Sequence, residues 1–171
     1  MNVMNARSSF LLLALFFLSG CNCSRNTPEA KTEEVISGNL RVINVLDKEF
    51  FDDCRIKGSV NIPFMDPDDP EKSPIDSYVK NLPKDTKLVV YCSNYMCTAS
   101  GEITKKLKGM GFEDVWAYEA GMADWYQKGL PTEGSCKEGY LTKVIDAPKE
   151  HSGFKVISTE ELKQMIDELQ K

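Results

Sequence analysis

Residues 87–111 constrain the fold more than any other part of this chain. Leu88-Val89-Val90-Tyr91 is an apolar run of β-formers that ends at Cys92. A loop without charge follows, Ser93-Asn94-Tyr95-Met96-Cys97-Thr98. Then Ala99, Ile103, Leu107 and Met110 recur along one helical face, Lys105, Lys106 and Lys108 lie elsewhere, and Gly111 is a natural stop. A buried strand that hands over to a helix is the unit of a parallel sheet covered on both faces. In that class ligands sit beyond the C-terminal ends of the strands, where Cys92 falls. The N–H groups of the loop and first helical turn favour a thiolate over a thiol. Cys92 is therefore expected to be an acidic, reactive thiol. The competing expectation is a buried structural cysteine, a common fate for this residue type.

The rest of the chain repeats the alternation. Strands are expected at 41–46, 59–62, 87–92 and 114–118, and helices at 47–53, 74–82, 98–110 and 121–128. Ser73-Pro74 is a start signal, with Ser as N-cap and Pro in the first turn. Near the C-terminus Ser158-Thr159-Glu160-Glu161 reads as a capping box, and Leu162, Met165, Ile166 and Leu169 form an apolar stripe. A final helix at about 158–170 is expected to pack on the domain. The fold class is α/β: a central parallel sheet, helices on both faces and a C-terminal helix.

With 171 residues, the chain is long enough for one domain with a core and tails. A net charge of −5 without a basic cluster argues against nucleic acid as a partner. The six cysteines are Cys21, Cys23, Cys54, Cys92, Cys97 and Cys136. They show no repeated metal-ligand spacing, and His151 is the only histidine, in a polar stretch, so no metal is expected.

The N-terminus reads as a targeting segment. Arg7 gives it a positive start, residues 10–18 are apolar, and Leu18-Ser19-Gly20-Cys21 closes it. The apolar stretch falls short of the ~20 residues that span a bilayer. The closing motif resembles a bacterial lipobox, which implies a signal peptide at 1–20 and a lipid on Cys21; the alternative is an ordinary signal peptide cut near Gly20. Residues 21–35 are polar and read as a flexible tether. Localisation at the bacterial cell envelope is expected, facing the periplasm or the cell surface, with Asn22 favouring the outer membrane. In such a compartment disulfides persist, and Cys54 and Cys136 are left as candidates to pair.

Residues 36–132 resemble the rhodanese-like (sulfurtransferase) domain family. The resemblance rests on Val42-Ile43-Asn44-Val45-Leu46, on residues 55–63 (Arg-Ile-Lys-Gly-Ser-Val-Asn-Ile-Pro), on Val89-Val90-Tyr91-Cys92 and on Gly121-Met122-Ala123-Asp124-Trp125 with Gly129-Leu130-Pro131. It implies a single rhodanese-like domain with a C-terminal extension at 133–171. Within that extension, residues 156–162 are similar to the family's opening helix, and the tail is a candidate to cover surface that such a helix protects. The chain departs from the family at Asn44, Leu46 and Arg55, where Asp, Arg and His are frequent, and above all at Cys97, where the loop usually carries Arg.

The resemblance implies sulfane-sulfur transfer through a persulfide on Cys92, cradled by the amides of Ser93, Asn94, Tyr95, Met96, Cys97 and Thr98, with no cofactor. Partners would be small-molecule or protein persulfides and thiols, the membrane through Cys21, and no second copy of the chain. No Lys or Arg occurs between Lys87 and Lys105, and one charge-assisted contact is worth roughly 1.5–3 kcal/mol. A neutral or protein-bound persulfide is therefore expected as donor in preference to dianionic thiosulfate. Related phosphatase and arsenate-reductase loops end in Arg one residue later, where Thr98 stands, which argues against phosphoryl chemistry. Two alternatives stand beside sulfur transfer. One is a thiol–disulfide protein in which Cys97 resolves an oxidised Cys92. The other is a rhodanese-like binding module without catalysis. Cys97 itself is either this resolving thiol or a small filler at the helix start.

Overall fold

A computed structural model of the chain describes residues 39–66, 68–69, 71–148 and 153–169. The expected signal peptide, Cys21, the tether and His151 lie outside the described residues. In chain order the elements are β1 (Leu40–Asn44), α1 (Lys48–Asp53), β2 (Cys54–Ile56), β3 (Val60–Asn61), α2 (Pro74–Val79), β4 (Lys87–Tyr91), α3 (Ala99–Gly109), β5 (Val115–Tyr118), α4 (Gly121–Gln127), β6 (Thr132–Gly134), β7 (Lys155–Val156) and α5 (Thr159–Leu169). A 3₁₀ turn, Gly139–Thr142, lies between β6 and β7.

Five strands form a parallel sheet in the order β3-β1-β4-β5-β7. The central strand β4 pairs Val89 with Val42 on one side and with Trp116 on the other. Alternation along each strand feeds two separate cores. Leu40, Val42, Val89, Tyr91 and Tyr118 face Met122 and Trp125 of α4 and Leu162 and Ile166 of α5. Ile43, Val45, Leu88, Val90, Cys92 and Val115 face Ile75 and Val79 of α2 and Ile103 and Leu107 of α3. Nearly continuous apolar strands are what a sheet covered on both faces requires. At the end of α3, Gly111 adopts φ +87° and the Phe112 N–H returns to the Leu107 carbonyl at 3.2 Å, so the expected glycine stop is a left-handed cap.

The tail is woven into the domain. β7 adds to the open side of β5, pairing Val156 with Ala117, and α5 buries Leu162 completely. The capping box forms: the Ser158 N–H and hydroxyl donate to Glu161 Oε2 at 2.9 and 2.7 Å, and the Glu161 N–H returns to Ser158 Oγ at 3.2 Å. Thr159 Oγ1 lies 2.9 Å from the Tyr118 hydroxyl and donates to the Asp124 carboxylate, so the start of α5 is fastened to β5 and α4 together.

A second, antiparallel ribbon was not expected from the sequence. β2 pairs with β6, Cys54 opposite Gly134, and a disulfide joins Cys54 to Cys136. Asp53 organises the chain beyond β6. Its carbonyl accepts the Cys136 N–H at 2.8 Å, and its carboxylate accepts from the Ser135 hydroxyl and from the N–H groups of Lys137 and Glu138. The Ser135 hydroxyl, followed by these N–H groups, holds the Asp53 carboxyl below its usual range. Gly134 has φ +111°, and a Cβ there would lie 2.2 Å from the Asp53 carbonyl oxygen; only glycine permits so close an approach.

Candidate functional site

The central strand delivers Cys92 at its C-terminal end. Side chains alternate there, so Tyr91 enters one core and Cys92 the other, beneath the start of α3. Cys92 is fully buried, whereas Cys97 is partly exposed, and both are free thiols.

Asn94 sets the curl of the loop between them. Its side-chain oxygen accepts the Met96 N–H at 3.0 Å and its carbonyl accepts the Cys97 N–H at 3.0 Å, an Asx turn inside a tight turn. The curl returns Cys97 to Cys92. The Cys92 sulfur lies 3.2 Å from the Cys97 carbonyl oxygen and 3.6 Å from Ser100 Oγ. Met96 is left at the tip, 76% exposed, and Thr98 Oγ1 bonds to Glu102 on the outside of α3.

From the far side, α4 holds the loop in place. The N–H groups of Met122 and Ala123 donate to the carbonyls of Cys92 and Ser93, each at 2.9 Å. This close approach depends on Gly121, whose φ is +64° and whose missing Cβ would sit 2.6 Å from the Cys92 carbonyl oxygen. Trp125, buried in the core behind, donates its Nε1–H to the Pro131 carbonyl at 2.9 Å and meets Tyr118 edge to face. The Gly121-to-Trp125 segment is thus a brace for the loop, a role that nothing in its own spacing gives away beyond an apolar helical face.

The electrostatics differ from the expectation of an acidic Cys92. Burial pushes the Cys92 thiol up, the Cys97 sulfur adds to the rise, and the Ser100 hydroxyl and N–H oppose it. Cys97 moves the other way. The Cys92 S–H contributes most to lowering it, burial opposes, and the N–H groups of Ala99 and Ser93 add their share. The helix groups that favour the Cys92 thiolate are the Ser100 hydroxyl and N–H, and burial outweighs them. Arg55 stands outside this cluster, paired with Glu133 at 3.1 Å and lying over Phe51. Two clefts of about 270 and 280 Å³, one between Phe64, Met65 and α3 and the other between Asn39 and Met165, include none of the loop residues 92–98.

Among solved structures, the chain resembles a protein from Anabaena sp. at 26% identity, covering 56% of this chain and 68% of that one with a TM-score of 0.47. A protein from Bacillus halodurans matches at 22% identity over 58% and 67%, with a TM-score of 0.48. A rhodanese with anions from E. coli matches at 24% identity over 56% and 98%, with a TM-score of 0.42. No curated protein matches. The family model for the rhodanese-like domain aligns with residues 27–128, a run that takes in β1, the ribbon strand β2, the Cys92 loop and the α4 brace. On that match, over more than half of its length, the chain belongs to the rhodanese-like domain family.

Proposed function

We propose that this chain is an exported, lipid-anchored rhodanese-like sulfurtransferase. It takes sulfane sulfur from a persulfide donor, holds it as a persulfide on Cys92, and hands it to a thiol or another nucleophile. The observation that carries this reading is a free cysteine, Cys92, at the end of the central strand of a rhodanese-like domain, under a loop that curls back to place the Cys97 carbonyl oxygen 3.2 Å from its sulfur. The same region lacks any cation between Lys87 and Lys105, which favours a neutral or protein-bound persulfide over thiosulfate. Export is supported by the Cys54–Cys136 disulfide, a bond that persists in oxidising compartments, and by the lipobox-like sequence ending at Cys21.

Incubation of the full chain with cysteine persulfide, followed by mass spectrometry of its peptides, tests the reaction. A gain of one sulfur on Cys92 is the expected result. Inertness of both loop thiols would sink the proposal in favour of a binding module. A second reading, thiol–disulfide exchange, is favoured by the return of Cys97 to Cys92, whose sulfur lies 3.2 Å from the Cys97 carbonyl oxygen. It would appear in the same spectra as the loss of two hydrogens across the pair, with no sulfur gained. For the anchor, fractionation of wild type and Cys21→Ala is decisive: the variant is expected in the soluble fraction, and equal membrane retention would remove the lipid assignment.

A further inference from the structure

Given sulfane-sulfur transfer on Cys92, we infer that the C-terminal extension belongs to the transfer machinery: Phe154 and Thr159 are positioning residues that fix the two helices bracketing the Cys92 loop. Both lie outside residues 27–128, the stretch aligned with the family. Two contacts carry the inference, one on each face of the sheet.

The first contact is with α3. Ser100 is fully buried in the first turn of that helix, and its Oγ lies 3.6 Å from the Cys92 sulfur. The next residue, Gly101, is also buried, and the Phe154 ring takes the space of its missing side chain. A Cβ on Gly101 would sit 2.7 Å from Phe154 Cζ and 2.9 Å from Cε1, so the ring rests on the helix backbone itself. One turn further along α3, Lys105 Nζ lies 5.3 Å from the centroid of the same ring. Glycine inside a helix costs about 1 kcal/mol relative to alanine. Here it opens a notch that an aromatic side chain of the tail fills.

The second contact is with α4. Thr159 is buried, donates Oγ1 to the Asp124 carboxylate and lies 2.9 Å from the Tyr118 hydroxyl. Asp124 directly follows Met122 and Ala123, whose N–H groups hold the carbonyls of Cys92 and Ser93. Between Phe154 and Thr159 the chain runs through β7, which is paired with β5, and Ile157 enters the core shared with α4. One short stretch of the tail therefore touches both helices that position the thiol.

The reaction makes that position matter. The Cys92 thiolate attacks the outer sulfur of a donor persulfide, R–S–SH. The donor S–S bond breaks, a new one forms on Cys92, and RS⁻ leaves and takes a proton from solvent. An acceptor thiolate then attacks the outer sulfur, and the Cys92 thiolate is the leaving group. Neither step is a net oxidation. Cys92 is a thiolate at both ends of the cycle. The Ser100 hydroxyl, which accepts the S–H of the thiol, rotates to donate to the thiolate. A drift of the first turn of α3 would lengthen this bond, and the Phe154 ring opposes that drift.

The test measures single-turnover loading of Cys92 from cysteine persulfide in the full chain, with urea unfolding of every variant. Phe154→Ala and Thr159→Val are each expected to slow loading at saturating donor by at least about fivefold, with the half-saturating donor concentration unchanged. Phe154→Tyr and Thr159→Ser should load as wild type does. Ser100→Ala should also load slowly, and adding Phe154→Ala to it should change the rate less than about twofold, because the ring acts through Ser100. Ile166→Ala, in the tail but on neither contact, should lower the urea midpoint and leave loading unchanged. If Phe154→Ala lacks a cooperative transition, Thr159→Val, close in shape to the native side chain, decides. Wild-type loading in both Phe154→Ala and Thr159→Val, or an equal loss in Ile166→Ala, would overturn the inference and leave sulfur transfer intact. So would a full additional loss on combining Phe154→Ala with Ser100→Ala. Absence of loading in wild type would overturn both.

Discussion

Gly121 bears on the reactive loop without belonging to it. Its positive φ turns the chain so that the first N–H groups of α4 reach the carbonyls of Cys92 and Ser93, and a side chain there would overlap both residues. Gly121→Ala is expected to cost about 1–3 kcal/mol from the left-handed backbone alone, and more from the overlap. It should also change the reactivity of Cys97, since the loop must shift. Gly109→Ala is the control: a Cβ there meets nothing within 4 Å, and stability should hold or rise by up to about 1 kcal/mol. Urea unfolding and iodoacetamide kinetics on both variants check the pair. If both variants unfold alike and label alike, α4 does not brace the loop. At this scale the strand-to-helix corner was legible in the sequence, but the curl of its loop was not. A strand end before a helix is visible in Leu88 to Cys92, and so is the unusual Cys97. How the loop returns Cys97 to Cys92 depends on the turn made by Asn94 and on the distant hold of Met122 and Ala123. Neither leaves a periodic trace.

At the scale of elements, β7 and α5 lie beyond the stretch matched by the family model, yet they close the sheet. Truncation after Pro148 would strip β5 of an edge partner and remove the buried side chains of Ile157, Leu162 and Ile166. At roughly 1.5–3 kcal/mol for each buried aliphatic side chain, the loss is about 4.5–9 kcal/mol, comparable with the whole stability of a small domain. The truncated chain should therefore lack a cooperative urea transition. A sharp transition near the wild-type midpoint would make the tail an ornament. The expected final helix was legible because a capping box and a 3.6-residue stripe coincide at 158–169. The four expected strands and four helices of residues 41–128 were legible for similar reasons, each coming within a few residues of the observed element. β2, β6 and β7 were not. They are two or three residues long, and their pairing is decided by partners far along the chain.

For the whole molecule, the strongest single constraint is covalent. The Cys54–Cys136 bridge spans 82 residues, and in a chain-entropy account closing so large a loop stabilises the folded state by about 4.5 kcal/mol. Reduction at neutral pH should lower the urea midpoint accordingly, provided the β2–β6 ribbon is otherwise intact. An unchanged midpoint would mean that the ribbon's hydrogen bonds hold that end of the fold alone. Sequence arithmetic left this pairing open, because connectivity follows from the ribbon and the ribbon was not foreseeable.

The bridge has a mechanical consequence as well. It closes residues 54–136 into a covalent ring that contains β4, the Cys92 loop and α4, and leaves β1, α1, β7 and α5 in the arms outside. A pull applied at the two ends of the chain passes from Cys54 directly to Cys136 and bypasses everything between them. The thiol site is therefore outside the line of tension for as long as the bridge is closed. In force spectroscopy the oxidised domain should release only its arms, and reduction should add about 280 Å of extensible length, the reach of the 82 sequestered residues.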